Sequence, residues 1–215
     1  MRRVTIDARQ PAAGALDEAV AVLVAGGVVA MPTDTLYGLA ADPFSTAAVA
    51  RLFAIKGRSA ERAMPLVAAD VDQVVSQIGS LPEVARLLAS KYWPGPLTLL
   101  VARPPSIPAE VAGGRGEIGV RVPAHAVTRE LCRASGRLLT ATSANLSGEP
   151  ASNDPDDVAR SLDIAGPAGI DLLLDAGLTP GGAPSTIVDV TGRDVRLVRP
   201  GAIAWDEVQA CIQRG

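Results

Sequence analysis

The sequence predicts a single α/β domain built on a twisted, open, mixed sheet with helices packed on it. Short apolar runs alternate with amphipathic helical stripes over most of the chain, and strand-like runs then cluster near the C-terminus with short turns between them. The 215 residues are 48% hydrophobic, enough for one domain with a sizeable core. No internal repeat or composition shift divides them, so residues 1–215 are read as one domain.

Taken in order, Val4 to Ile6 is a strand candidate, and Leu16, Ala19, Val20, Leu23 and Val24 form the stripe of an amphipathic helix that Gly26-Gly27 stops. Val28 to Met31 is a buried strand cut short by Pro32. Ser45 or Thr46 caps a helix whose Val49, Leu52 and Phe53 face the core and whose end carries Lys56. Met64 to Ala68 is a short apolar run, Pro82 opens the next helix, and Trp93-Pro94-Gly95-Pro96 is a turn. Leu97 to Val101 reads as a strand, followed by a Pro- and Gly-rich loop from Arg103 to Arg115.

Ile118 to Val122 is a strand, Ala126 to Ser135 a helix ended by Gly136, and Leu138 to Ala141 a strand that stops in Thr142-Ser143-Ala144-Asn145. Asp154 followed by Pro155 starts a helix to Leu162 by cap and first-turn logic. Ile170–Leu174, Ser185–Val190 and Val195–Val198 are strands, with antiparallel pairing expected among them, before a last helix carrying Trp205, Val208, Cys211 and Ile212.

The totals narrow the function. A net charge of −3 offers no global cationic field for nucleic acid, so any anion site must be local. Cys132 and Cys211 form no C-x-x-C pair and fall on helical patterns, as small core hydrophobes do. With His125 the single histidine, no protein-ligated metal is expected. Val4 to Arg9 breaks any signal-peptide pattern and no run reaches membrane-spanning length, so a cytoplasmic protein without a membrane partner is expected.

Gly114 to Gly119 satisfies G-x-G-x-x-G, but a strand follows it where a dinucleotide site needs a helix, so it is read as a turn. Ser143 lacks the context of a hydrolase nucleophile, and His125 at a helix start is assigned to a capping or surface role. Arg121 lies in the apolar strand Gly119-Val120-Arg121-Val122, and two roles stay open: a solvated outward side chain, or an inward fork for a substrate carboxylate. Lys56 and Arg58 near a helix end could simply complement its dipole. Together with the hydroxyl-rich strand ends at Thr33/Thr35, Thr142/Ser143 and Ser185/Thr186, and with Arg199 before Pro200-Gly201, they point to a pocket for an anionic, phosphate-bearing ligand.

A set of ordered motifs runs through nearly the whole chain: P-T-D-T-L-Y-G-L from Pro32, K-G-R from Lys56, M-P-L from Met64, W-P-G-P-L-T from Trp93, V-R-V-P-A-H from Val120, T-S-A-N-L-S-G from Thr142, S-T-I-V-D from Ser185 and R-P-G from Arg199. The chain thereby resembles the threonylcarbamoyl-AMP synthases built on a YrdC/TsaC-type domain. The resemblance implies a positively charged central cavity that uses L-threonine, bicarbonate or CO2, and ATP with Mg2+. The product would be L-threonylcarbamoyladenylate, with release of pyrophosphate. A downstream tRNA threonylcarbamoyl transferase complex would then carry the group to the adenosine beside the anticodon.

By the same resemblance Lys56 and Arg58 serve catalysis, Lys56, Arg58, Arg62, Ser143, Asn145 and Arg199 bind ATP, and Thr35, Tyr37, Arg121 and Ser185 bind threonine. Arg62 stands where relatives often carry Lys or another polar residue. After Met64-Pro65-Leu66 the chain reads Val67-Ala68-Ala69-Asp70, without the histidine that some relatives use for a threonine contact. The chain ends soon after Arg199-Pro200-Gly201, so the extra C-terminal domain of longer members is not expected. An RNA-binding or ribosome-assembly module, with direct contact to tRNA, is the alternative; the acidic balance and two each of Phe, Tyr and Trp weigh against it. The related carbamoyltransferase domain of hydrogenase maturation proteins brings cysteine-rich fingers that this chain lacks.

Overall fold

Pro32 ends one strand, Gly57 one helix and Gly136 another, and between such stops the chain builds two sheets rather than one. The computed structural model describes residues 1–57, 63–163 and 169–214. Its first half comprises β1 (Arg2–Thr5), α1 (Ala13–Val24), β2 (Val29–Met31), β3 (Gly38–Ala40), α2 (Thr46–Lys56), β4 (Leu66–Val67), α3 (Val71–Ile78), α4 (Glu83–Tyr92) and β5 (Leu97–Ala102). The second comprises β6 (Glu117–Arg121), α5 (Ala126–Ser135), β7 (Leu139–Thr140), β8 (Thr142–Ser143), α6 (Pro155–Asp163), β9 (Leu172–Asp175), β10 (Thr186–Asp189), β11 (Arg196–Arg199) and α7 (Trp205–Ile212).

One sheet has the order β1-β9-β2-β3-β8 and the other β11-β10-β5-β6-β4-β7. Both mix parallel and antiparallel pairs: β1, β9 and β2 run parallel while β3 is antiparallel to β2, and β10 runs parallel to β5 while β6 is antiparallel to it. The α/β class is as the sequence predicts. The antiparallel expectation holds for β10 with β11, but β9 leaves that cluster and inserts between β1 and β2. Its continuous Leu172-Leu173-Leu174 run is buried on both faces, the condition for a central parallel strand.

Alternation along β2 shows how the core divides. Ala30 packs with Leu39, Leu97 and Leu99 in one apolar cluster, whereas Val29 and Met31 face a second one with Leu16, Leu23, Val127 and Leu131. Each fully buried leucine of this kind contributes roughly 1.5–3 kcal/mol relative to exposure. α1 packs beside α5 over the second cluster, and α4 beside α7 over the first. Cys132 and Cys211 are buried, free thiols, and burial pushes the Cys132 thiol well above its ordinary range.

Local chemistry sets the ends. The Ser45 side chain accepts from the Ala48 N–H to cap α2, and Gly57 closes that helix in the left-handed conformation, φ 58°, which a side chain would strain. The Asp154 side chain accepts from the Asp156 N–H at the start of α6. α3 and β3 were not expected from the sequence. Short elements of three to eight residues leave little periodicity to read, and Gly38 within β3 is a poor strand former. No described helix is long and apolar enough to cross a membrane.

Candidate functional site

Strand ends of both sheets meet around a cavity of about 280 Å3. Thr33, Thr35 and Ser143 border it from the first sheet, and Thr98, Arg121 and Arg199 from the second. Among the described residues no carboxylate lines it, so its wall is hydroxyls, apolar side chains and two guanidiniums.

Pro32 breaks β2 and turns the chain so that Thr33 and Thr35 close on each other. Their hydroxyl oxygens lie 3.1 Å apart, the Thr33 hydroxyl donates to the Leu36 carbonyl at 2.6 Å, and the Thr35 N–H donates to the Thr33 hydroxyl. The Thr35 carbonyl in turn accepts from the Thr179 hydroxyl at 2.8 Å and the Gly181 N–H, which ties the 177–184 loop to this strand end.

Arg121, the last residue of β6, is 8% exposed, so the solvated alternative is excluded and the side chain points inward. Its Nε donates to the Gly95 carbonyl at 2.9 Å and its Nη2 pairs with Asp34 Oδ1. Gly95 belongs to the Trp93–Pro96 turn, and its own N–H donates to the Val122 carbonyl at 2.8 Å. A Cβ at Gly95 would stand 2.4 Å from the Tyr92 carbonyl oxygen, so this close turn requires glycine. The second Asp34 oxygen, Oδ2, and the Nδ1 of His125 are buried without a hydrogen-bond partner. Burial pushes the His125 imidazole below its ordinary pKa, partly opposed by the Asp34 charge.

Arg199 ends β11, and its Nη2 donates to the Ser185 carbonyl at 2.7 Å and to the Ser185 hydroxyl at 3.2 Å. The Ser185 hydroxyl lies 2.8 Å from that of Thr98 on β5. Arg199 as a whole residue is solvent-exposed, but its guanidinium borders the cavity; burial of that group first, and the field of Arg121 second, lower its pKa. Two like charges thus share one space, which favours an anion between them.

The third grouping joins α2 to β8. Lys56 is 2% exposed, and its Nζ donates to the Ser143 carbonyl at 2.6 Å, to Asn145 Oδ1 at 2.7 Å and to the Ser143 hydroxyl at 3.3 Å. The Asn145 amide nitrogen donates to the Glu149 carbonyl, and the Ser147 N–H to the Lys56 carbonyl. Lys56 and the T-S-A-N segment therefore form one unit, in which Thr142 and Ser143 border the cavity and Lys56 and Asn145 stand behind it. Arg58 and Arg62 lie outside the described residues.

Tyr37 borders the cavity, yet its hydroxyl donates to the Gly177 carbonyl at 2.8 Å and accepts from the Ala176 N–H, and burial pushes its pKa up to about 12. Three contributors escaped the sequence: Asp34, Gly95 and Thr98. The signal for Asp34 was present, since an arginine inside an apolar strand needs a carboxylate and Asp34 sits between two threonines at a strand end. Gly95 acts through its carbonyl, which no side-chain pattern reveals. Among the described residues, no group of three or more His, Cys, Asp or Glu is placed to hold a metal.

The threonylcarbamoyl-AMP synthase of Pyrococcus abyssi is 37% identical over 187 residues, which cover 87% of this chain and 54% of that protein. A putative threonylcarbamoyl-AMP synthase of Mycobacterium tuberculosis is 36% identical over 190 residues, 88% of this chain and 85% of that protein. The crystal structure of P. abyssi Sua5 complexed with L-threonine matches with a TM-score of 0.92 at 32% identity, over 99% of this chain and 61% of that one. This chain therefore spans about half the length of the P. abyssi synthase and most of the mycobacterial protein. With the family model described as telomere recombination matching residues 21–201, the chain belongs to the Sua5/YciO/YrdC family.

Proposed function

We propose that this chain is a threonylcarbamoyl-AMP synthase: it joins L-threonine, bicarbonate or CO2, and ATP into L-threonylcarbamoyladenylate and releases pyrophosphate. The observation that carries the reading is the pair of guanidiniums, Arg121 and Arg199, bordering one hydroxyl-lined cavity without a described carboxylate on its wall. Relatives named threonylcarbamoyl-AMP synthase, and the P. abyssi Sua5 structure complexed with L-threonine, support the same reading.

In this reading the threonine amine attacks CO2 and loses a proton to become a carbamate. A carbamate oxygen then attacks the α-phosphorus of ATP, and the bond to the departing pyrophosphate breaks. Both reactants are anions, so the protein's work is positioning and charge stabilisation without a covalent nucleophile. Arg121 takes the threonine carboxylate, with the hydroxyls of Thr35 and Ser185 beside it and Tyr37 as a wall. Arg199 and Ser143 hold the nucleotide, with Asn145 orienting the Ser143 hydroxyl from behind and Arg58 and Arg62 added from outside the described residues.

Lys56 serves by fixing the Ser143–Asn145 turn from behind, since its ammonium already donates to three acceptors there. Mg2+ would enter with ATP as part of that substrate. The adenylate would pass to a tRNA threonylcarbamoyl transferase complex in the cytoplasm. The test incubates purified protein with ATP, Mg2+, bicarbonate and labelled threonine, and follows pyrophosphate and the adenylate by mass spectrometry. Threonine-dependent release of both is expected; pyrophosphate release that ignores threonine overturns the reading.

A further inference from the structure

We propose that Thr98 is a positioning residue for Ser185: the Thr98 hydroxyl donates to the Ser185 hydroxyl oxygen, and the Ser185 proton is thereby aimed into the cavity as a donor to the bound ligand. The identity of that ligand as threonine rests on the synthase reading above.

The two hydroxyls lie 2.8 Å apart, and both residues border the cavity. Ile187 pairs with Thr98 on one side and with Arg199 on the other, and Leu100 pairs with Gly119. Ser185, Thr98 and Gly119 therefore lie on one diagonal across the start of β10, β5 and β6, on a shared face of the sheet. Gly119, the last glycine of the run that starts at Gly114, stands inside β6 rather than in a turn. A Cβ there would stand 3.1 Å from Thr98 Cγ2 and 3.4 Å from Leu100 Cδ2 and Pro65 Cβ, so glycine leaves the space beside which the Thr98 methyl sits. A β-branched side chain has few χ1 choices, and with its methyl seated over Gly119 the Thr98 hydroxyl is held towards Ser185.

A hydroxyl has one proton and two lone pairs, and a guanidinium has donors only. Arg199 Nη2 donates to the Ser185 hydroxyl at 3.2 Å, which takes one of its lone pairs. Among the described residues the Thr98 hydroxyl has no hydrogen-bond partner other than Ser185, and Ser185 is the less buried of the pair, 7% against 2% exposed. The deeper proton, on Thr98, goes to the second lone pair of Ser185, and the Ser185 proton is left facing the cavity. Accepting from a guanidinium polarises that hydroxyl and strengthens it as a donor to an anion. Ser185 then touches the ligand, whereas Thr98 acts through it.

The affinity for L-threonine should be measured by calorimetry, and as the KM in pyrophosphate release, for the wild type, Ser185→Ala, Thr98→Val, Thr98→Ser and the double variant Thr98→Val/Ser185→Ala. Ser185→Ala is expected to weaken threonine about tenfold, for a lost donor to an anion, and Thr98→Val, which keeps the shape and removes the donor, about threefold, for lost orientation. The double variant should match Ser185→Ala, because Thr98 has no route to the ligand without Ser185. Thr98→Ser keeps the hydroxyl and should stay within about twofold of the wild type. The KM for ATP should hold within about twofold throughout, because Arg199 keeps the Ser185 carbonyl at 2.7 Å. A loss in Thr98→Val that equals or exceeds that in Ser185→Ala reverses the proton direction and overturns the inference. So does a Thr98→Val indistinguishable from the wild type, or a parallel rise in both KM values.

Gly119 allows a second test by exchange of size. Gly119→Ala should weaken threonine about threefold as the added Cβ drives the Thr98 methyl aside, and Gly119→Ala/Thr98→Ser, which removes that methyl, should restore most of the affinity. A double variant no better than Gly119→Ala overturns the inference. A wild type that binds threonine without threonine-dependent pyrophosphate release overturns only the synthase reading, and the calorimetric series then decides the inference by itself. A wild type that does not bind threonine overturns both.

Discussion

Lys56 and Asn145 meet end to end, the ammonium of one 2.7 Å from the side-chain oxygen of the other, although 89 residues separate them. A 2% exposed ammonium with three oxygen partners is a structural centre as well as a charge. Lys56→Met keeps the aliphatic stem and removes the donors. It should destabilise the fold by about 2–4 kcal/mol, because hydrogen bonds to a charged group are each worth about 1.5–3 kcal/mol and their acceptors stay buried. Turnover should fall on the order of 100-fold as the Ser143–Asn145 turn loosens. Urea unfolding beside pyrophosphate assays checks both, and near-normal values would leave Lys56 with the helix-dipole role alone.

Arg121 and Arg199 share a cavity but have different partners, so their losses should differ in kind. Arg121→Lys retains the charge for Asp34 and removes the planar fork; the KM for threonine should rise about tenfold with the ATP KM little changed. Arg199→Ala should raise the KM for ATP about tenfold and that for threonine far less. Separate titrations of the two substrates decide this. Equal loss for both substrates in both variants would mean that the cavity does not divide its anions between the two arginines.

The sequence showed the hydroxyl-ended strands and the cations because side-chain type and strand punctuation are local properties. It placed Lys56 beside the hydroxyls, and it required Arg121 to meet an anion if it faced inward. The division into two sheets was hidden, since a strand such as β9 is equally apolar whichever neighbours it takes. Also hidden were partners that act through backbone atoms, such as the Gly95 carbonyl, and the burial of Lys56 behind Ser143, because these depend on how α2 and β8 approach each other.

Asp70 caps α3 by accepting from the Gln73 N–H at 2.9 Å and also meets Arg133. The backbone bond, ahead of the arginine, holds its carboxyl below the ordinary carboxylate range. A depressed pKa means that the stabilisation is present above the unfolded pKa and is lost as pH falls through the folded one. Asp70→Ala should therefore cost about 1 kcal/mol at neutral pH, as cap removals do. Below the folded pKa the variant and the wild type should converge. Urea midpoints measured at pH 7 and in strong acid test this, and a gap that persists in acid would mean that charge plays no part.

Tyr37 joins β3's entrance to the loop that follows β9, donating to the Gly177 carbonyl and accepting from the Ala176 N–H. That loop leads to Ser185, so the hydroxyl braces one wall of the cavity from behind. Burial, the largest influence, raises its pKa from 10.0 to about 12. The folded state thus prefers the neutral phenol, and its contribution is complete below pH 10 and declines as pH rises towards 12. Tyr37→Phe should cost about 1–3 kcal/mol at pH 8, because the Gly177 carbonyl loses its donor. At pH 11 the unfolded tyrosine ionises while the folded one resists, so the wild type loses part of its advantage and the gap to Tyr37→Phe narrows. Urea unfolding of both proteins at the two pH values, with phenolate absorbance distinguishing Tyr37 from Tyr92, measures that gap. A constant or widening difference would place the Tyr37 hydroxyl in contact with solvent rather than in a buried brace.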